Sequence, residues 1–541
     1  MDDRRHADRE EVGVQGKLPC YFRLPPVSRW LRVAAVAACG ASLLTPSCNQ
    51  AEAPRAAAEP LQLVIGVPEA GVEAPDFGLP QLARNLSYEG LTNKNPDGHA
   101  EPRLAESWAA SPDGLSWEFQ LRKSVAFHDG TPLNAAHAAK SLNLWLSQPR
   151  TTAMRPGLLD ISKVWASSDT TVTVELKRPS SFLVDDIDVH LGSAGPPGEK
   201  SAGTGLYRIV SSSGSEIRLE ANNKYYLGAP QIQRIVLRTH ATLRTAWAAL
   251  MRGEIDMVSD VAHDVLDFVS NERVATYTFL RNYVYTIAFN SRKPQFKSAT
   301  VRRALNGAVN RDELIKNVLN GHGVPGTGPL WPRHWAFDQT APQYAFDPAL
   351  TSSTLEAAGF RLSAQTASDR APARLRFVCL VPRDFALLER LALAVQKQLY
   401  DVGVDMQLES VSAEEFNKRV SSGNFDAGIF DMIGGPSFAR AYSFWRSPGE
   451  LQGLNVFGYH NPEADRWFDT LRFARDEATV RAAVGQVQRV LREDPPALFL
   501  AWGERTRAVS RRYQVETEGS RDPLYTLRAW SVDPEFRPTT H

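Results

Sequence analysis

The chain is poor in the residues that most directly announce a chemistry. Four cysteines in 541 residues cannot staple a disulfide-rich fold. The eleven histidines are scattered, with no pair at i, i+3 or i, i+4, so no built-in His-rich metal site and no metal ligand set is expected. Gly-x-Ser-x-Gly, His-Glu-x-x-His and Cys-x-x-Cys are all missing, which removes the commonest hydrolase, metalloprotease and redox signatures, and no catalytic residue or cofactor is assigned. Gly203-Thr204-Gly205 lacks the further glycine and the helix of a nucleotide loop and reads as a turn. Net charge is missing too: 61 basic side chains balance 61 acidic ones, which gives no general attraction to nucleic acid or anionic lipid. No internal repeat is visible. No apolar run is long enough to span a bilayer stably.

What is present begins with Arg29 and Arg32, which precede the apolar run Val33 to Leu44 and the small-residue boundary "TPSCNQ". These are the parts of a secretory signal. A cysteine just after such a run resembles a bacterial lipoprotein lipobox, so residues 1–48 read as a signal peptide with lipidation at Cys48, and Cys39 in "VAAC" as the alternative. Residues 49–60, rich in Ala and Pro, read as a flexible tether. After cleavage before Cys48, Cys379 is left as the free thiol. Its run "RLRFVCLV" is strand-like, so it is expected in the core rather than as a nucleophile.

From Leu61 the pattern becomes strand-like, with Leu61, Leu63, Ile65 and Val67 alternating. Trp117, Phe119 and Leu121 alternate next, then Val172, Val174 and Leu176, and "YRIVSSSGSEIRLE" predicts a hairpin turning at Ser213-Gly214. Helical spacing takes over at 298–321, with a cap at Ser298 or Thr300 and a stop at Gly321, and again at 384–403. Arg374 to Glu409 has the order of a βαβ unit, which predicts a partly parallel sheet. "VAFHDGTPL" places His128 beside Asp129. With no second ligand nearby it predicts a strand-to-helix turn, with Asn134 as the helix N-cap.

Several stretches in order resemble the family 5 extracellular solute-binding proteins of ABC transporters, the peptide/nickel-binding family. They are "SYEGLTN" at 87–93, "PRLAESWAASPDGLSWEFQLRKSVAFHDGTPLNAAH" at 102–137, "GTGLY" at 203–207, "NNKYYLGAPQIQRI" at 222–235, "ALMRGEIDM" at 249–257, "FNS" at 289–291, "VRRALNGAVNRDELI" at 301–315 and "NVFGYHNPEAD" at 455–465. The resemblance implies an α/β, two-lobed periplasmic-binding-protein type II fold with hinged lobes and an additional domain on the first lobe. It divides the chain into lobe I at 61–95, 203–282 and 505–541, the additional domain at 96–202 and lobe II at 283–504. Chain crossings would lie near "YVYTIAFN" and "LFLAWGERT".

The implied function is capture of a small, peptide-like solute between the lobes and delivery to an ABC permease with its ATPase subunits. The receptor would be a monomer in the periplasm or cell envelope, held to the membrane only by a lipid anchor. Peptide-binding members carry a Trp and then an Asp before a Pro in a lobe II loop, the Asp pairing with the ligand ammonium. Here that loop reads "SGNFDAGIFDMIGGPSFARAYSF", with Gly434 or Gly435 at the aspartate position and Asp431 displaced from it. The resemblance implies Tyr88, Asn290, Asp431, Arg440, Trp445 and Tyr459 as candidate ligand contacts. The alternatives are a periplasmic hydrolase and a nickel-chelate or other small-molecule receptor or sensor of the same fold.

Overall fold

The computed structural model describes residues 60–68, 78–198, 201–261, 270–362, 372–383, 385–448 and 454–535. The export segment, Cys39, Cys48 and nearly all of the tether lie outside the described residues. Glu59–His541 form one compact unit. Among the described residues no helix is long and apolar enough to cross a membrane.

An eleven-stranded sheet is the frame. Its order runs Val404–Val411, Leu375–Pro382, Ala427–Ile433, Val274–Phe289, Ala497–Ser510, Met257–Val261, Gln62–Pro68, Arg234–His240, Glu216–Ala221 and Tyr207–Ser212, with Gly323–Pro325 pairing off the path to Ala497–Ser510. The two longest strands, Val274–Phe289 and Ala497–Ser510, run antiparallel along their length and serve both halves. Val274 to Leu280 pair with Glu504 to Ser510 in the first half. Val284 to Ala288 pair with Ala497 to Trp502 in the second, where Ala427–Ile433 lies on the other side. The register shifts between Leu280 and Val284, and again between Tyr285 and Thr286, so the ladder is interrupted where the halves meet.

Local sequence explains the elements. Strand Gln62–Pro68 has Leu63, Ile65 and Val67 in the core and pairs parallel with Arg234–His240 and Met257–Val261. The βαβ reading of 374–409 holds: helix Ala386–Asp401 buries Leu388, Leu391, Ala392, Val395 and Leu399 and links two parallel strands. Cys379 is fully buried there, and burial pushes its thiol up to about 12, so it is a core residue. The helical run at 298–321 is in fact two helices, Ala299–Gly307 and Arg311–Val318. The break falls at Asn310, whose side chain accepts from the Glu313 amide and starts the second helix, while Ser298 makes no side-chain cap.

A separate antiparallel sheet, Ala105–Ala110, Ser116–Leu121, Thr171–Leu176 and Ile161–Ala166, stands on its own core of Leu104, Phe119, Val172, Leu142 and Leu183. The "VAFHDGTPL" turn belongs here. His128 Nε2 lies 2.9 Å from the Gly205 carbonyl, Asp129 accepts from the Thr131 amide, and Asn134 caps helix Ala135–Leu146 through the His137 amide. Burial lowers the His128 pKa, consistent with a neutral ring in a structural turn. The piece is tied back by the Leu191 amide, which donates to the Glu89 carbonyl at 2.8 Å, while the Glu89 side chain accepts from Tyr225 at 2.6 Å, Tyr226 at 2.9 Å and Thr204 at 3.0 Å.

Candidate functional site

Charged side chains gather where the halves meet. Asp431 lies on strand Ala427–Ile433, in register with Tyr285 of the long strand, and its Oδ2 accepts from Arg281 Nη2 at 2.5 Å. Arg281 also donates to the Tyr285 hydroxyl at 3.0 Å, and its guanidinium lies 4.9 Å from the Tyr283 ring centre. The second carboxylate oxygen, Oδ1, is shielded from solvent and has no hydrogen-bond partner among the described residues. Tyr283 stands between two charge centres: burial raises its pKa, and Asp431, Arg281, Arg505 and Arg440 all act on it.

Strand Ala427–Ile433 ends in Gly434-Gly435-Pro436-Ser437, and helix Ala439–Trp445 follows. The glycines are required by packing. A Cβ on Gly434 would sit 2.5 Å from the Trp502 ring, and one on Gly435 2.4 Å from the Trp331 ring. Those two indoles meet edge to face at 5.1 Å and close the space over this backbone. The position at which the family pattern places an aspartate therefore has no room for any side chain.

Arg440, in the first turn of that helix, has no ion pair or hydrogen bond to any described residue, and its Nη1 is shielded from solvent. Burial lowers its pKa, opposed by the charges of Asp186, Tyr283 and Asp185. The neighbours of Arg440 are otherwise engaged. Lys94 and Arg155 each take one oxygen of Asp188. The Gly157 amide donates to Asp186 at 2.8 Å, and Ser437 Oγ donates to Asp185 at 2.8 Å. Burial raises Asp185 to about 6, against the pull of Lys94 and Ser437, and lowers Lys94 to about 8.

Around this cluster the halves are tied by further hydrogen bonds. Arg472 donates through Nε and Nη2 to both oxygens of Asp160, each at 3.0 Å, through Nη1 to the Tyr442 hydroxyl at 2.9 Å, and through Nη2 to the Pro156 carbonyl at 3.1 Å. Ser181 reaches the Leu471 and Arg472 carbonyls. On another side Trp331 Nε1 donates to the Pro96 carbonyl at 2.7 Å, and the Trp335 amide to that of Asp97. Burial lowers His334, beside Trp335 and Phe438, to about 3.

The structure brings two of the six sequence-derived candidates, Asp431 and Arg440, to the charged cluster around Tyr283 and gives the other four packing duties. Tyr88 is buried and its hydroxyl donates to the Ser201 carbonyl at 2.6 Å. Asn290 donates to the Gly423 and Phe425 carbonyls at 3.0 and 2.9 Å, fixing a turn below the sheet. Trp445 is buried, stacked on Phe457 with ring centres 5.0 Å apart. Tyr459 is buried and donates to the Asp494 carbonyl at 3.0 Å. Sequence reading missed Arg281, Tyr283, Lys94, Arg155 and the three aspartates 185, 186 and 188. The spacing of 281, 283 and 285 on one strand could have marked a shared face. The others sit outside any motif. Among the described residues no group of three or more His, Cys, Asp or Glu is placed to hold a metal ion.

Comparison with known proteins follows this geometry. Residues 99–450 match the family described as bacterial extracellular solute-binding proteins, family 5, middle. The oligopeptide-binding protein AppA of Bacillus subtilis is 24% identical over 472 residues, covering 82% of this chain and 86% of that protein. Heme-binding protein A of Haemophilus influenzae is 29% identical over 372 residues, covering 62% and 66%. Among solved structures, NikA from Brucella suis in complex with Fe(III)-EDTA superposes with a TM-score of 0.74 at 22% identity, over 87% of this chain and all of that one. AppA from Bacillus subtilis with a nonapeptide gives 0.73 at 21%, over 88% of this chain and all of that one, so the fold is the two-lobed type II binding-protein fold. The chain belongs to the family 5 bacterial extracellular solute-binding proteins, the receptor components of ABC importers, and is a binding protein rather than an enzyme.

Proposed function

We propose that this receptor is exported by residues 1–48, lipidated at Cys48 or, failing that, Cys39, and tethered by 49–60 to the cell envelope as a monomer. Lobe I would comprise 61–95, 203–282 and 505–541, the additional domain 96–202, and lobe II 283–504. The solute binds between the lobes, against Asp431, Arg440 and Tyr283. Tyr88, Asn290, Trp445 and Tyr459 act by holding the surrounding backbone. Relatives named for oligopeptide, glutathione and heme binding, and a structural neighbour holding agropinic acid, support a small, peptide-like or related organic solute.

The observation that carries this reading is the pair of unmet groups between the halves, Asp431 Oδ1 and the Arg440 guanidinium. Buried polar groups without partners are costly, and a bound solute is what would satisfy them. Binding shifts an open–closed equilibrium only as far as the solute prefers the closed form, in which both lobes reach it. Useful capture at micromolar concentration needs about 8 kcal/mol. The test is mass spectrometry of whatever is released when the purified protein is denatured, followed by X-ray scattering of stripped protein with that compound restored. A smaller radius of gyration on re-addition supports capture by closure. Protein that releases nothing and does not contract with any extract fraction refutes it.

A further inference from the structure

Resting on that receptor reading, we infer that the solute is an anion: a small molecule with a carboxylate for Arg440 and a neutral N–H or O–H donor for Asp431, and no free ammonium.

The inference follows from which hydrogen-bonding capacity is already spent. A carboxylate that seats an ammonium must bring an uncompensated negative charge. Asp431 does not, because Arg281 holds its Oδ2 at 2.5 Å and supplies one positive charge against one negative. An ammonium at the shielded Oδ1 would place two cations on a single carboxylate. Gly434 and Gly435 offer no substitute, since Trp502 and Trp331 fill the space a side chain would need. Asp188 takes both Lys94 and Arg155, and Asp185 and Asp186 accept from Ser437 and the Gly157 amide. Asp185 and Asp186 accept through one oxygen each, and the charges of Lys94, Arg155 and Arg440 face them; the solvent-shielded carboxylate oxygen with no partner among the described residues is Asp431 Oδ1, already neutralised by Arg281, so a neutral amide N–H or hydroxyl completes it.

On the donor side the excess lies with Arg440. Its guanidinium carries five N–H groups in a planar fork suited to a carboxylate, and none of them has a partner among the described residues. Asp186 and Asp185 lie close enough to bias its charge but not to bond it. Tyr283, poised between Asp431 and Arg440, adds a ring face and a hydroxyl that makes no hydrogen bond to a described residue. Around Tyr283 the unmet groups thus include one cationic fork, one neutralised acceptor and one phenol, with Arg505 Nε as a further donor. A blocked or acylated amino acid and a hydroxy acid both have the complementary groups.

The test uses the full wild-type chain, freed of bound solute by unfolding and refolding, and calorimetry with four matched probes: N-acetyl-dialanine, its C-terminal amide, free dialanine and dialanine amide. N-acetyl-dialanine is expected to bind at least about tenfold tighter than its amide, because charge-assisted bonds to Arg440 are lost. It is also expected to bind no more weakly than free dialanine. The Arg440→Gln variant should erase the preference for the carboxylate while keeping the wild-type melting temperature. Equal affinity for the carboxylate and the amide, or tightest binding by dialanine amide, overturns the inference and leaves the receptor reading standing. Failure of all four probes overturns it as well; if denatured protein also releases no solute, the receptor reading falls with it.

Discussion

Arg472 and Arg440 stand on neighbouring helices, Pro462–Arg472 and Ala439–Trp445, and both face carboxylates, Asp160 for the first and Asp185 and Asp186 for the second. Arg472 spends its guanidinium on Asp160, Tyr442 and the Pro156 carbonyl. Arg440 bonds to no described residue. The same side chain thus does two jobs in one seam. A saturated arginine fixes the contact it makes, since its desolvation is offset by partners the protein itself supplies. An unsaturated one leaves that role to something from outside. Charge alone would not separate the two; a count of used and unused donors does.

Removing a partner from the saturated pair should have the largest effect. Arg472→Met takes the buried partner from Asp160 and leaves it the half-exposed Arg178 alone, and urea unfolding should show a loss of about 3 kcal/mol, the low end for breaking a buried pair. Asp160→Leu with Arg472→Met together should cost less than the two singles summed, giving a favourable coupling in a double-mutant cycle. The unsaturated arginine should behave in the opposite way. Arg440→Gln removes a cation that bonds to no described residue, so stability should hold, while affinity for the native solute falls by about 1.5–3 kcal/mol by calorimetry.

The seam should also read pH. His334 is held near 3 and His190 near 4, each chiefly by burial, well below the ordinary value of 6.5. The unfolded chain therefore takes up protons first as pH drops, so stability is lost from about pH 6.5 down toward 4. Asp185, raised to about 6, opposes this between about pH 6 and 4, because there its folded form binds more proton than its unfolded form. Unfolding free energies across that range should fall, and His334→Asn should flatten the slope. The smallest effect belongs to a pair away from the seam. Arg208 and Glu220 lie 2.9 Å apart and about half exposed, and Arg208→Ala should change stability by less than about 1 kcal/mol in the same assay.

Much of the frame was legible in the sequence, because strands and helices write their period along the chain. Leu63, Ile65 and Val67 announced a core strand, and the 388, 391, 392, 395, 399 stripe announced the helix of the βαβ unit. The turn at His128 was legible because Asn134 caps by a local bond. The site was not, for a physical reason. Arg281 meets Asp431 across 150 positions and Arg472 meets Asp160 across 312, and no periodicity links such partners. Nor does the sequence show that Trp331 and Trp502 cover Gly434 and Gly435. The altered loop was visible as a missing aspartate; what replaced it, an internal ion pair beside a sealed backbone, required the fold. Trp445 and Tyr459 resembled cleft aromatics, yet both are buried in one hydrophobic cluster.

The most direct test of this account is calorimetric titration of the solute recovered from the purified protein into wild type and Arg440→Gln, with melting temperatures measured alongside. The account predicts binding to wild type, at least about tenfold weaker binding to the variant, and matching melting temperatures without solute. Unchanged affinity in the variant would contradict it.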